Sequence, residues 1–109
     1  MDRNTRAARA FRKDGARPVE SAQIKSYKSD LSAGWKIVDR RRLEKEFKFK
    51  DFAGALVFTN QVGKQAERLQ HHPDIALGWG KVKLTLTTHK IRGLSENDFA
   101  LAAKVDGIA

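Results

Sequence analysis

The pattern of hydrophobic and polar residues divides the first part of the chain into a short helix and a pair of strands. Apolar residues from Val19 onward fit a short amphipathic helix that ends near Gly34. Residues 35–39 read Trp-Lys-Ile-Val-Asp, and residues 43–50 alternate between apolar and charged side chains, so we expect a strand in each segment. A polar turn at residues 39–42 joins the two strands and predicts an antiparallel hairpin.

The strongest helical pattern begins after Asp51, a residue suited to the N-cap position. Apolar side chains behind it recur at steps of three or four residues: Phe52, Ala55, Leu56, Thr59, Val62, Ala66 and Leu69. Pro73 disfavours helical geometry at His72, so the helix should end near His71. The spacing therefore predicts one long amphipathic helix in the middle of the chain.

Two further strands and a last helix complete the pattern. A short strand is expected at residues 75–79, and residues 81–88 alternate between apolar and polar side chains. Ser95 can cap the last helix, with Asp98 at the third helical position of a capping box. The order helix, two strands, helix, two strands, helix predicts an α+β domain with two layers, in which a four-stranded antiparallel sheet carries three helices on one face.

Length and composition favour a single small domain that folds without cross-links. The chain has 109 residues, of which 40% are hydrophobic, and it contains no cysteine. This length supports one hydrophobic core, and the missing cysteine excludes disulfides and thiolate metal sites. No apolar run approaches the roughly 20 residues needed to span a bilayer. We therefore expect a soluble protein of the cytoplasm, with no membrane partner.

The positive charge is concentrated in the first half of the chain. Lysine and arginine number 22 against 13 aspartate and glutamate, which gives a net charge of +9. Residues 1–17, with five arginines and one lysine, are expected to form a basic, flexible tail before a single domain at residues 18–109. A mitochondrial presequence is the weaker interpretation, because Asp2 and Asp14 oppose it. Non-specific nucleic-acid binding stays open but is disfavoured against a solvated face, since no recognition motif supports it.

The candidate chemistry lies in the histidines, which all fall between His71 and His89. Histidine is the side chain best suited to exchange protons near neutral pH. Glu67 precedes His71 by four residues, so it should share a helix face and fix the tautomer of that ring. His89 should end its strand on the face away from the core. We expect these two elements to bring His71, His72 and His89 to one cleft. A metal site is disfavoured, because the spacing His-x-x-x-His is absent and adjacent histidines diverge.

The histidines belong to a longer spaced pattern that resembles a known family. The pattern reads Glu67-x3-His71-His72-Pro73-x5-Trp79-x9-His89-x8-Asp98. It is similar to the signature of the pterin-4a-carbinolamine dehydratases, and the surrounding sequence resembles that family over about residues 19–106. The family fold, a four-stranded antiparallel sheet with three helices on one side, agrees with the elements read from the hydrophobic pattern.

The resemblance implies a reaction and a role for each residue of the pattern. The reaction is dehydration of a 4a-hydroxytetrahydropterin to a quinonoid dihydropterin in tetrahydrobiopterin recycling, with neither a metal nor an organic cofactor. His71 and His89 are then the acid and base, in an order that the sequence leaves open, and His72 is a further catalytic residue that contacts the pterin and assists at its hydroxyl. Asp98 orients from the rim or only caps its helix, and Trp79 stacks on the pterin or packs in the core or an interface. Glu67 is a supporting or merely exposed charge.

The resemblance also implies partners and leaves another class of function open. Family members form homodimers or homotetramers, and an aromatic amino acid hydroxylase supplies their substrate. Some relatives instead serve as dimerisation partners of a homeodomain transcription factor or as assembly chaperones for RuBisCO. Those chaperone-like relatives tend to lose the histidines that this chain keeps, so the sequence favours catalysis over a binding role.

Overall fold

A computed structural model describes residues 18–109, so the predicted basic tail at residues 1–17 lies outside the described part of the chain. The elements, in chain order, are α1 (Ser21–Ser29), β1 (Lys36–Val38), β2 (Arg42–Lys48), α2 (Phe52–Leu69), β3 (Asp74–Leu77), β4 (Lys81–Leu86), a short 3-10 turn (His89–Ile91) and α3 (Glu96–Ile108). The predicted order of three helices and four strands is confirmed.

The four strands form one antiparallel sheet in the order β1-β2-β4-β3. Alternate side chains of the two central strands are buried against the helices: Leu43, Phe47, Val82, Leu84 and Leu86. The other face of the sheet carries charged pairs, such as Lys83 with Glu44 at 3.5 Å. Because side chains alternate between the faces of a strand, this difference shows that the helices cover only one side, as predicted.

Helix α2 begins where the sequence predicts but buries a narrower stripe. The Asp51 side chain accepts a hydrogen bond of 2.8 Å from the backbone N–H of Gly54, which confirms it as the N-cap. The buried residues are Ala55, Phe58, Val62 and Ala66. Phe52 and Leu56, which we expected in the core, are 45% and 39% exposed. On the helix surface they lie to the side of the buried stripe.

Helix α3 is held to the rest of the fold at both ends. At its start, Ser95 and Asp98 form the predicted capping box. Near its end, the buried Asp106 carboxylate accepts hydrogen bonds from the Ser32 backbone N–H, at 2.9 Å, and from the Trp35 indole, at 2.9 Å. Asp106 therefore ties the last helix to the segment between α1 and β1. Within residues 18–109, none of the helices is both long and apolar enough to cross a membrane.

Candidate active site

The site forms where the segment after α2, the segment after β4 and the start of α3 meet. Helix α2 ends at Leu69, and Gln70 adopts a left-handed conformation with φ 54°. This turn is held by a hydrogen bond of 3.1 Å from the His71 backbone N–H to the carbonyl of Ala66. The His71 ring then lies against α3, with its Nε2 atom 2.6 Å from Oδ1 of Asp98.

Asp98 is fully buried, and both of its carboxylate oxygens have partners. Oδ2 accepts one hydrogen bond from the Thr88 hydroxyl, at 2.7 Å, and another from the Ser95 backbone N–H, at 2.9 Å. The hydroxyls of Thr88 and Ser95 also lie 2.7 Å apart. Charge-assisted hydrogen bonds of this kind hold a carboxylate firmly. Asp98 therefore joins three segments of the chain and cannot rotate without breaking several bonds.

These contacts assign the hydrogen-bond donor between His71 and Asp98. An ionised carboxylate only accepts hydrogen bonds, so the Nε2 atom of His71 must carry the proton in their contact. Nδ1 of the neutral ring is then the nitrogen with a free lone pair. The ring is only 13% exposed, and its neighbour is completely buried. The arrangement can therefore accept a proton at Nδ1 and stabilise the resulting cation through Asp98.

Glu67 contacts a different histidine from the one predicted. Its Oε2 atom lies 2.5 Å from Nε2 of His72, and both side chains are well exposed, at 72% and 56%. The expectation that Glu67 would orient His71 on a shared helix face is wrong. The left-handed residue Gln70 turns the chain away before His71, so helical spacing no longer applies to the histidines.

His89 does not end a strand, so the expectation that it would is wrong. Strand β4 ends at Leu86, and His89 is the first residue of the 3-10 turn. The preceding Thr88 forms an isolated bridge with Gly93, and its backbone N–H donates to the carbonyl of that residue at 2.8 Å. His89 is exposed and directly follows the threonine that is hydrogen-bonded to Asp98. The backbone of His89 therefore lies beside the hydrogen-bond network of the site.

Trp79 lies at the other end of β4 from the histidines. It occupies the turn after β3, which ends at Leu77 rather than at residue 79 as expected, and the indole is 72% exposed. Six residues of extended strand span roughly 20 Å, and β4 separates Trp79 from Thr88 by that distance. Trp79 is therefore not a core residue, and a single chain does not bring it to His71.

Sequence reasoning missed the role of Thr88. Its position has the same parity as Val82, Leu84 and Leu86, the three buried residues of β4. A threonine on the inward parity, just past the end of a strand, has to place its hydroxyl against a polar partner. That signal was available, but the partner, Asp98, lies ten residues further along and is reached only through the fold. Within residues 18–109, no three histidine or carboxylate side chains converge in a way that could hold a metal ion.

The fold and the site define a small α+β protein in which a buried carboxylate, Asp98, holds His71, the first of two adjacent histidines. Comparison with known proteins agrees with this description. The family model for pterin 4 alpha carbinolamine dehydratase matches residues 17–108, and the chain belongs to this family.

Relatives of known sequence and structure support the assignment over most of the chain. Proteins named for this dehydratase family from Alkaliphilus metalliredigens and Rubrobacter xylanophilus are 56% and 46% identical, and the matches cover 84% and 86% of this chain and 83% and 87% of theirs. A transcriptional coactivator/pterin dehydratase from Brucella melitensis superposes with a TM-score of 0.79 at 35% identity, over 85% of this chain and 99% of that structure. A pterin dehydratase-like protein identified as a RuBisCO assembly factor in the alpha-carboxysome gives 0.60 at 28% identity, over 70% and 89% of the two chains.

Proposed function

We propose that this protein dehydrates a 4a-hydroxytetrahydropterin to a quinonoid dihydropterin and water, in the recycling of tetrahydrobiopterin. In this reaction a base removes the proton from ring nitrogen N5, and the electron pair forms the N5–C4a double bond. The C4a–O bond breaks, and an acid protonates the departing hydroxide to give water. The reaction needs two positioned groups that exchange protons near neutral pH. It needs no metal and no organic cofactor.

His71 is the proposed base, and the observation that carries this assignment is its contact with the buried Asp98. The contact directs the protonated Nε2 toward the carboxylate and leaves Nδ1 to take the proton from N5. A carboxylate behind the ring stabilises the imidazolium that forms, as in other histidine–carboxylate pairs. His89, the exposed histidine beside the same network, is the proposed acid for the 4a-hydroxyl. His72, which pairs with the exposed Glu67, contacts the pterin and assists at the 4a-hydroxyl.

The same observation favours catalysis over a purely binding role. The RuBisCO assembly factor shows that a relative of this fold takes part in assembly. A protein that only binds a partner has no need to hold a histidine in one tautomer against a fully buried carboxylate. This chain keeps that pair together with His72 and His89, which supports the enzyme. A binding or assembly role on the same scaffold is the alternative that the activity assay tests.

The proposed substrate suggests where and with what the protein works. The substrate is a by-product of aromatic amino acid hydroxylation, so we infer a hydroxylase in the same pathway and a location in the cytoplasm. We also infer a homodimer or homotetramer. The apolar side chains that the sheet edge and α2 leave exposed support self-association, among them Phe52, Val57 and Leu77. Nucleic acid is not a proposed partner.

The function is tested by following enzymatically generated 4a-hydroxytetrahydropterin through its ultraviolet absorbance. The wild type should accelerate its breakdown over buffer, with or without a chelator. His71→Ala and His89→Ala should each lower kcat by about 10²-fold or more, the usual contribution of a general acid or base. Gln61→Ala, an exposed change on α2, is the matched control and should keep the full rate. If the wild type does not accelerate the breakdown, the protein is not this dehydratase. If both histidine variants keep full activity, only the catalytic roles assigned to His71 and His89 are wrong.

A further inference from the structure

A groove between α1 and β1 lies beside the histidine site and is not used by the mechanism above. It encloses about 250 Å³. The two isoleucines in its wall are half-buried, and the three basic side chains around it are exposed. A groove of this kind suits a ligand that is apolar along its length and negatively charged at its end. The residues that line it are Ser21, Ile24, Lys25, Lys28, Ile37 and Arg40.

The positive charge around the α1–β1 groove is not neutralised by the part of the chain that the structure describes. Within residues 18–109, none of the three cations of the groove forms an ion pair with a carboxylate. Arg42, two residues after Arg40, differs, since it pairs with Asp39 at 3.2 Å and with Glu44 at 3.5 Å. Like charges around one groove repel each other, so a bound anion would be favoured there.

Arg40 occupies a position where the backbone favours glycine. The turn between β1 and β2 has φ 54° at Asp39 and φ 58° at Arg40, and the Arg41 N–H closes it by donating to the carbonyl of Val38 at 2.9 Å. Asp-Gly is a preferred sequence for a tight hairpin turn with two successive positive φ angles. An arginine in the left-handed region costs backbone free energy. Its presence in this turn therefore points to a use for the side chain.

Both walls of the α1–β1 groove begin next to the histidine site. On one side, Pro18 forms a bridge with Ser95, a member of the hydrogen-bond network of the site, and α1 begins at Ser21. On the other side, the Thr87 hydroxyl at the end of β4 donates at 2.6 Å to the carbonyl of Arg41 in the hairpin turn. Strand β2 alone separates β4 from β1, so the groove lies about 10 Å from the end of β4.

We propose that the protein also takes a pterin substrate whose side chain carries an aromatic ring and carboxylates, the chemistry of a folate, and that the α1–β1 groove binds this side chain. The aromatic ring packs on the two isoleucines, and the glutamyl carboxylates lie among Lys25, Lys28 and Arg40. A span of about 10 Å needs roughly eight bonds of extended chain, which an aminobenzoyl-glutamate provides and the short, uncharged side chain of biopterin does not. The inference rests on the proposed function, because the same N5 and C4a atoms react at the histidines.

Binding of stable analogues tests the groove without turnover. In isothermal titration calorimetry, 7,8-dihydrofolate should bind the wild type about tenfold or more tightly than 7,8-dihydrobiopterin, through its charge-assisted hydrogen bonds. Dihydropteroate, which lacks the glutamate, should lie between them, and added salt should reduce the differences. Equal affinity for the folate and biopterin analogues overturns the proposal. Tighter binding of dihydroneopterin triphosphate than of dihydrofolate also overturns it, because the occupant is then a phosphate ester.

Arg40→Gly separates a role in binding from a role in folding. The change gives the turn its preferred Asp-Gly sequence, so it should keep or raise the midpoint of urea unfolding while raising Kd for dihydrofolate about tenfold. Lys48→Gln removes one positive charge at the far end of β2, roughly 20 Å away, and Asp39→Gly changes the neighbouring left-handed residue of the turn. Both controls should keep the wild-type Kd. An unchanged Kd in Arg40→Gly, or an equal rise in Lys48→Gln, overturns the proposal.

Turnover distinguishes failure of this proposal from failure of the proposed function. The wild type should show a lower KM for 4a-hydroxytetrahydrofolate than for the biopterin carbinolamine, with both breakdown reactions followed by ultraviolet absorbance. If the biopterin form is dehydrated and the folate form has no lower KM, the groove proposal fails and the proposed function stands. If dihydrofolate binds in a way that depends on Arg40 but neither carbinolamine is dehydrated, the proposed function fails and the groove keeps its ligand.

Discussion

Two histidine–carboxylate pairs in this protein have nearly the same geometry and very different surroundings. Nε2 of His71 lies 2.6 Å from Asp98, and Nε2 of His72 lies 2.5 Å from Glu67. In the first pair the exposed fractions are 13% and 0%, and in the second they are 56% and 72%. The two pairs therefore differ in their exposure to water and not in their hydrogen-bond distance.

The difference indicates which pair can direct chemistry. An exposed ion pair contributes only about 0–1 kcal/mol, because water and salt screen it and both side chains lose rotamer freedom. A buried carboxylate has exchanged its water for protein donors, and removal of one partner from a buried pair costs about 3–5 kcal/mol. Thr88 and Ser95 hold Asp98 in place, whereas among residues 18–109 only His72 contacts the Glu67 carboxylate. We expect the buried pair to fix a tautomer and the exposed pair to adjust to its ligand.

The largest effect should come from Asp98→Asn. Thr88 and Ser95 both donate to Oδ2, so they should retain the amide oxygen of the variant and direct its NH2 group at His71. The ring must then accept at Nε2 and carry its proton on Nδ1, where the base is needed. We expect kcat to fall by about 10²–10⁴-fold. Nitrogen NMR of the imidazole should show the reversed tautomer.

Asp106→Asn is the matched control for that change. Asp106 is also a buried carboxylate, but within residues 18–109 its side-chain partners are Ser32, Trp35 and Lys45, and none of them is a histidine. The Asp106→Asn substitution should lower the free energy of unfolding while leaving the His71 tautomer as it is in the wild type. If both variants lose activity in proportion to their stability, Asp98 acts only as a structural residue.

An intermediate effect is expected from Thr88→Val, which removes one donor to Asp98 with little change of shape. The carboxylate and the Ser95 hydroxyl each lose a buried partner, which should cost about 1–3 kcal/mol in urea unfolding. A less firmly held Asp98 should also lower kcat by about tenfold, which is the same range of free energy. Thr88→Ser restores the hydroxyl and should recover kcat. Loss of stability with an unchanged kcat would show that Thr88 supports the fold without orienting His71.

The smallest effect should come from Glu67→Gln. The pair with His72 is exposed, so its loss should change the free energy of unfolding by less than about 1 kcal/mol and kcat by less than about fivefold. Added salt should reduce the difference from wild type further, because exposed charges are screened. A fall in kcat as large as that of Asp98→Asn would contradict the distinction between the two pairs.

The parts of the fold that were predicted correctly depend on contacts between neighbours in sequence. Asp51 caps α2 through a bond to a residue three positions on, and Ser95 and Asp98 form their capping box over the same interval. The turn between β1 and β2 is equally local. Such contacts can be read from spacing, because the geometry of a helix end or a hairpin fixes which residues meet.

The partners within the site could not be read in this way. Gln70 takes a left-handed conformation at the end of α2, and this single residue moves His71 from the helix face, where Glu67 was expected, to a carboxylate 27 residues away. The end of β4 at Leu86 similarly removes the strand parity on which the position of His89 rested. The resemblance to the dehydratases selected the histidines and Asp98, but which group holds which ring depends on tertiary packing.

Asp98 both caps α3 and contacts His71, and this affects how the sequences of divergent relatives should be interpreted. The same carboxylate starts the last helix and orients a histidine, so a descendant that has abandoned catalysis still requires it in order to fold. An aspartate at this position in an uncharacterised homologue is therefore poor evidence of turnover. The imidazole that faces it caps no helix, so its loss is the more telling sign that the chemistry has been given up.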